Sequence, residues 1–194
     1  MKELLLHEPA IRLGFFFGVF AIMALWEILA PRRALGASKT WRWTNNLGIV
    51  FLNTALVRVL FPTTAVALAL TAETRGWGIL NHFALAGWLA VAVAVLALDF
   101  VIWLQHVVFH AVPVLWRLHR VHHADLDYDV TTGARFHPIE ILLSMLIKFS
   151  AILVLGPPAV AVLVFEVALN ATAMFNHANV RLPLGLDRVL RLLL

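Results

Sequence analysis

An all-α integral membrane helical bundle is the fold class this sequence predicts, on three observations. Hydrophobic residues fill 62% of the 194 positions and charged residues only 13%, against roughly 45–50% and about 25% in an ordinary soluble domain. The apolar residues form runs long enough to cross a bilayer, which takes about 20 residues of helix. Polar residues collect between the runs, and six of the nine histidines fall within residues 105–137. The pattern predicts a single membrane domain with about four membrane-embedded segments plus a Gly-Pro-Pro hairpin. Residues 1–98 supply N-terminal transmembrane helices, and residues 99–194 carry the seven clustered histidines.

The first run covers 11–30 and stops at Pro31-Arg32-Arg33. No small-residue cleavage site follows it, so it reads as a retained helix and not a signal peptide. The next loop holds Arg32, Arg33, Lys39 and Arg42 without an acid, and Trp41 and Trp43 stand where an interfacial aromatic belt is expected. The second run, 47–70, contains Arg58 and an expected kink at Pro62. Residues 71–83 read as a mixed loop with Glu73, Arg75 and Trp77. The third run, 84–104, has Asp99 near its end and leads into His106. Pro113 should end that helix, and Leu115 to His123 should form a fresh one. Asp125, Asp127 and Asp129 are expected to face water. Residues 139–175 read as two helices joined by Gly156-Pro157-Pro158, which puts His137 and His177 on one side of the membrane. Residues 186–194, with Asp187, Arg188 and Arg191 among leucines, suggest an amphipathic interfacial helix.

The formal net charge is +4. No basic stripe interleaved with aromatics is present, which argues against nucleic acid as a partner. The positive excess sets topology instead: the basic loop is expected in the cytoplasm, the Glu73/Arg75 loop outside, and the histidines on the cytoplasmic side. The chain has no cysteine, which excludes disulfides, zinc–thiolate sites, iron–sulfur clusters and a thiol nucleophile. Any metal must therefore be held by imidazole and carboxylate.

Imidazoles beside a bilayer are costly unless something binds them. His106 and His110 are four apart and share a helix face. His119, His122 and His123 follow at i, i+3 and i+4, with His137 and His177 further on. Imidazole nitrogen is a common ligand for zinc, copper, iron and nickel. Val107 follows His106, so the zinc-protease H-E-x-x-H pattern is absent. A structural zinc takes four ligands, so seven clustered histidines suggest two metals. His7 and His82 stand alone in their segments and read as structural or interfacial. Asp99 either orients a ligand histidine or pairs with an arginine. Glu140 reads as a helix-start residue, Asn176 and Asn179 as loop caps, and Trp103 and Trp116 as interface anchors.

The stretches Asp99 to His110, Leu115-Trp116-Arg117-Leu118-His119-Arg120-Val121-His122-His123, Arg135-Phe136-His137-Pro138-Ile139-Glu140 and Asn176-His177-Ala178-Asn179 resemble the fatty acid hydroxylase/sterol desaturase superfamily. The resemblance covers about residues 95–194. It implies a membrane di-iron oxygenase that uses O2 and two electrons to hydroxylate or desaturate a lipid such as a sterol or fatty acyl chain. It further implies His106 and His110 as the first histidine box and His119, His122 and His123 as the second. His137 and His177 correspond to additional ligand histidines, with two irons per chain in the complete protein. The family's third H-x-x-H-H box would fall just past Leu194, so the expectation is a chain cut before it. The implied partners are the lipid, O2 and an external electron donor such as a ferredoxin or haem carrier, which Arg117, Arg120 and Arg135 could meet. The expected location is a bacterial inner membrane. A membrane protein binding or transporting zinc or iron is the alternative, and a non-catalytic remnant a further one. Histidines gathered at one membrane face favour a fixed centre over a transport path.

Overall fold

Long apolar runs become helices here, and proline, glycine and short polar side chains mark where each one starts and stops. The computed structural model of the chain describes residues 5 and 7–190. Helix α1 (Glu8–Leu29) has Pro9 in its first turn, where a missing N–H costs nothing. Helix α2 (Lys39–Leu60) is capped by Ser38, whose side chain accepts from the Trp41 N–H. Helix α3 (Ala65–Arg75) is capped by Thr64 and ends on Gly76 in the left-handed conformation. Then come α4 (Gly87–Ala111), α5 (Pro113–His123), α6 (Pro138–Leu155), α7 (Ala159–His177) and α8 (Leu184–Leu190). No strand occurs among the described residues, only an isolated bridge between Pro31 and Val180.

Five stretches are long and apolar enough to cross a membrane: α1, the α2–α3 segment, α4, α6 and α7. The expected membrane helical bundle is the fold. Helix α7 lies at its centre, packed on α1, α3 and α4. Its Val162, Leu163 and Phe165 bury against Ala65, Val66 and Ala69 of α3, Leu98 of α4 and Ile152 of α6.

Several details differ from the sequence reading. Pro62 does not kink one helix but separates two, because Thr64 offers a cap for a new start. Residues 71–75, expected in a loop, complete α3, while Lys39 and Arg42, also expected in a loop, begin α2. Asp125, Asp127 and Asp129, expected to face water, are buried. Of the expected C-terminal interfacial helix, α8 covers residues up to Leu190, and Arg191 lies outside the described residues.

The two ends of the bundle are distinct. At one, the α6–α7 turn meets the α3–α4 connection: Asn81 Nδ2 donates to the Gly156 carbonyl at 3.2 Å, and Glu73 Oε2 accepts from Ala159 N–H at 3.3 Å. Gly156 has φ 62°, and a Cβ there would collide with the Trp77 carbonyl. At the other end the α1–α2 loop closes over residues 124–135 and 178–181. Gly36 and Ala37 donate backbone N–H groups to Asp127 at 2.7 and 2.8 Å, and Arg32 N–H donates to the Asn179 carbonyl at 3.1 Å. All seven clustered histidines lie at this second end.

The spans also hold ionisable side chains that the sequence reading passed over. Lys148 of α6 pairs with Glu166 of α7 at 2.8 Å, and Arg12 of α1 pairs with Glu166 at 3.3 Å and Glu8 at 2.8 Å. Mutual neutralisation lets these groups sit among apolar helices.

Candidate metal centre

Pro113 creates the centre by ending one helix and starting the next. Helix α4 stops at Ala111 and α5 begins at Pro113, so two i, i+4 histidine pairs fold onto each other. His106 and His110 face one another with Nε2 atoms 3.1 Å apart. The Nε2 of His123 lies 3.2 Å from that of His110 and 3.2 Å from that of His119. These four rings each offer a nitrogen, all within 4.8 Å of one another.

A second pair stands beside them. The His122 and His177 rings are 4.5 Å apart, and His122 stacks on Phe136 at 4.5 Å with 6° between planes. Gly133 lets the 132–134 turn approach α7, since a Cβ there would lie 2.6 Å from the Ala173 carbonyl. His123 lies between the two sets, 5.0 Å from the His122 ring.

Hydrogen bonding fixes which ring nitrogen points inward. His119 Nδ1 donates to Glu140 Oε1 at 2.6 Å. His122 Nδ1 donates to the Arg135 carbonyl at 3.1 Å, and His177 Nδ1 to the Ala173 carbonyl at 2.7 Å. Carbonyls and carboxylates accept only, so each Nδ1 carries a proton and Nε2 is the nitrogen turned toward the neighbouring rings. Tyr128 OH lies 3.4 Å from His123 Nδ1. Burial first, then the rings of His177, His123 and His119, push the His122 imidazole down to about 3. Burial, followed by the His119, His110 and His177 rings, lowers His123 as well. Neutral imidazoles with converging lone pairs repel one another unless a cation lies between them, and they are the ligand-competent form. The donor set fits a metal.

Residues 91–192, just over half of the chain, match the profile of the fatty acid hydroxylase family. The chain belongs to the fatty acid hydroxylase family. No curated protein and no solved structure matches it significantly. Membership makes the chain, at a coarse level, an oxidoreductase of the hydroxylase/desaturase type acting on lipid in a membrane.

Within this fatty acid hydroxylase domain the structure gathers His106, His110, His119 and His123 in one set and His122 with His177 in another. His137 stands apart: its Nδ1 accepts the Ile139 N–H at 3.1 Å as the cap of α6. Asp99 is exposed and makes no hydrogen bond or ion pair with a described residue. The carboxylate that orients a histidine is Glu140, which the sequence reading assigned to the helix start. It occupies the first turn of α6 and also reaches His119, 21 positions away across a loop. No periodic signal encodes such a pairing. Asn179 is buried and exchanges hydrogen bonds with the Arg33 backbone, whereas Asn176 is exposed. Trp116, expected to anchor at the interface, packs 5.1 Å from the His110 ring.

An unanticipated buried network supports the loop between α5 and α6. Arg42 Nε donates to Asp125 at 2.7 Å, its Nη1 to Asp129 at 2.7 Å, and its Nη2 to the Asp127 carbonyl. Asn46 Nδ2 donates to Asp125 at 2.9 Å, and its Oδ1 accepts from Arg135 at 3.1 Å. Burial alone would raise the Asp125 carboxyl. Bonds from Arg42, Thr132 and Asn46 outweigh it and hold the group well below the usual carboxylate range. Glu27 Oε1 accepts from Val130 N–H at 2.7 Å and Asn179 N–H at 2.9 Å, tying α1 to the loops beside His122 and His177.

Proposed function

We propose that this chain forms a membrane oxygenase centre that hydroxylates or desaturates a lipid with O2 and externally supplied electrons. Two irons would be held by His106, His110, His119 and His123 on one side and by His122 and His177 on the other. The convergence of four imidazole nitrogens at one end of a membrane bundle carries this reading. Bound iron supplies the O2 activation and C–H oxidation that side chains cannot. The chain's own groups do the positioning. Glu140 and the carbonyls of Arg135 and Ala173 lock three rings in orientation, and burial keeps His122 neutral at physiological pH.

Access favours a lipid. On α4, Leu96, Phe100, Trp103 and Val107 are exposed and lie on one stripe with His110, at steps of three or four residues. An acyl chain lying along this stripe from the bilayer reaches the open His106/His110 edge without crossing water. The cytoplasmic side is proposed for the histidine end, because Arg32, Lys39, Arg117, Arg120, Arg181 and Arg188 all lie there. The experiment is turnover of the iron-loaded chain in bilayers with 18O2 and a reductant, followed by mass spectrometry of the lipid. Label in a new hydroxyl, or loss of two hydrogens, is expected. Exchangeable zinc with no change in any lipid would favour metal binding or transport.

A further inference from the structure

We propose that the outer face of α5, presenting Arg117 and Arg120, is the docking surface for a small acidic electron-carrier protein. The inference rests on the oxygenase reading above. Helix α5 has two opposite faces. His119 and His122 are buried on one, while Arg117 and Arg120, with Val114, are exposed on the other. Neither arginine makes a hydrogen bond or ion pair with a described residue. Most acids at this end turn inward instead: Glu27, Asp125, Asp127, Asp129 and Glu140 are buried, and Asp187 of α8 is half-buried. The resulting field is positive around α5, which steers a negatively charged partner toward it.

The chemistry requires such a partner. Hydroxylation balances as R–H + O2 + 2 e− + 2 H+ → R–OH + H2O, so two electrons must arrive for each turnover. The chain has no cysteine and carries no iron–sulfur cluster of its own. A carrier seated on Arg117 and Arg120 is separated from the His119 and His123 rings by roughly one helix diameter, about 10–12 Å. An anionic lipid surface would also attract arginine, but a lipid contact supplies no electrons.

The test uses the full chain in phosphatidylcholine nanodiscs and an acidic plant-type [2Fe–2S] ferredoxin as probe. Ferredoxin should bind the wild type with an affinity that falls as salt rises. The double variant Arg117→Glu/Arg120→Glu should bind on the order of tenfold more weakly or worse, and Arg75→Glu at the opposite end should bind as wild type. Metal content and reduction of the bound metal by dithionite should stay unchanged in the double variant, which separates lost docking from lost folding. Equal ferredoxin binding by wild type and double variant, or none by the wild type, would overturn the proposal. So would a double variant altered only in its stability in phosphatidylglycerol against phosphatidylcholine nanodiscs, which would assign the face to lipid. A wild type that binds ferredoxin through these arginines but holds no reducible metal would sink the oxygenase reading and leave the docking surface standing.

Discussion

His119 Nδ1 donates to Glu140 Oε1 across 2.6 Å, and both side chains are buried. This bond turns the Nε2 of His119 toward His123 and couples the start of α6 to the ligand helix α5. Carboxylates in this position typically contribute about 10–100-fold to metal affinity. Glu140→Ala should lower metal affinity by roughly that factor, while Glu140→Gln, whose amide oxygen can still accept, should lose less. Calorimetric titration of metal into the two variants checks this. Unchanged affinity in Glu140→Ala would remove the residue from the centre.

The two histidine sets and the outlying ring predict a graded mutational series. His110→Ala and His119→Ala should abolish tight metal binding, and His122→Ala should reduce the amount bound. His137→Ala should cost only the helix cap, about 1 kcal/mol of stability, with metal content retained. His7→Ala and His82→Ala should change neither. Metal analysis after gel filtration, with thermal unfolding alongside, separates these outcomes. Loss of metal in His137→Ala would place that ring among the ligands after all.

Much of this was legible in the sequence, and the limits have physical causes. The helices and the His106/His110 and His119/His122/His123 groupings follow from periodicity, which is local. The inward turn of Asp125, Asp127 and Asp129 depends on Arg42, more than 80 positions earlier. Read alone, three acids in a loop resemble a solvated surface. Likewise Glu27, Lys148 and Glu166 sit in runs apolar enough to hide them, and only their buried partners explain their presence.

The Arg42 clamp predicts a stability effect with a definite pH window. Arg42→Met strands Asp125 and Asp129 without their cation and should cost roughly 3–5 kcal/mol, as for other broken buried pairs. Asp125 is held below its unfolded range when folded. Its contribution is therefore complete above about pH 4 and is lost as the pH falls through and below that value. Thermal unfolding in detergent between neutral and acid pH should show this loss in the wild type and a flatter profile in Asp125→Asn. A steeper acid loss in Asp125→Asn would contradict the clamp.

Topology can be read by labelling, because the native chain contains no cysteine. Single cysteines at the exposed positions Ser38 and Leu126 should react from the same side, and one at His82 from the other. Thr132 and Gly78 are unsuitable sites, the first fully buried and the second pressed against Gly156. Labelling of Ser38 and Leu126 from opposite faces would break the arrangement of the spans.

The central claim is that the histidines at one end of the bundle form an iron centre. X-ray absorption at the iron edge, on the full chain loaded anaerobically with Fe(II) and freed of excess metal, tests it most directly. The account predicts retained iron with a first shell dominated by imidazole nitrogen, and loss of that iron and signature in His119→Ala. Iron that washes out of the wild type, or that stays unchanged in His119→Ala, would contradict it.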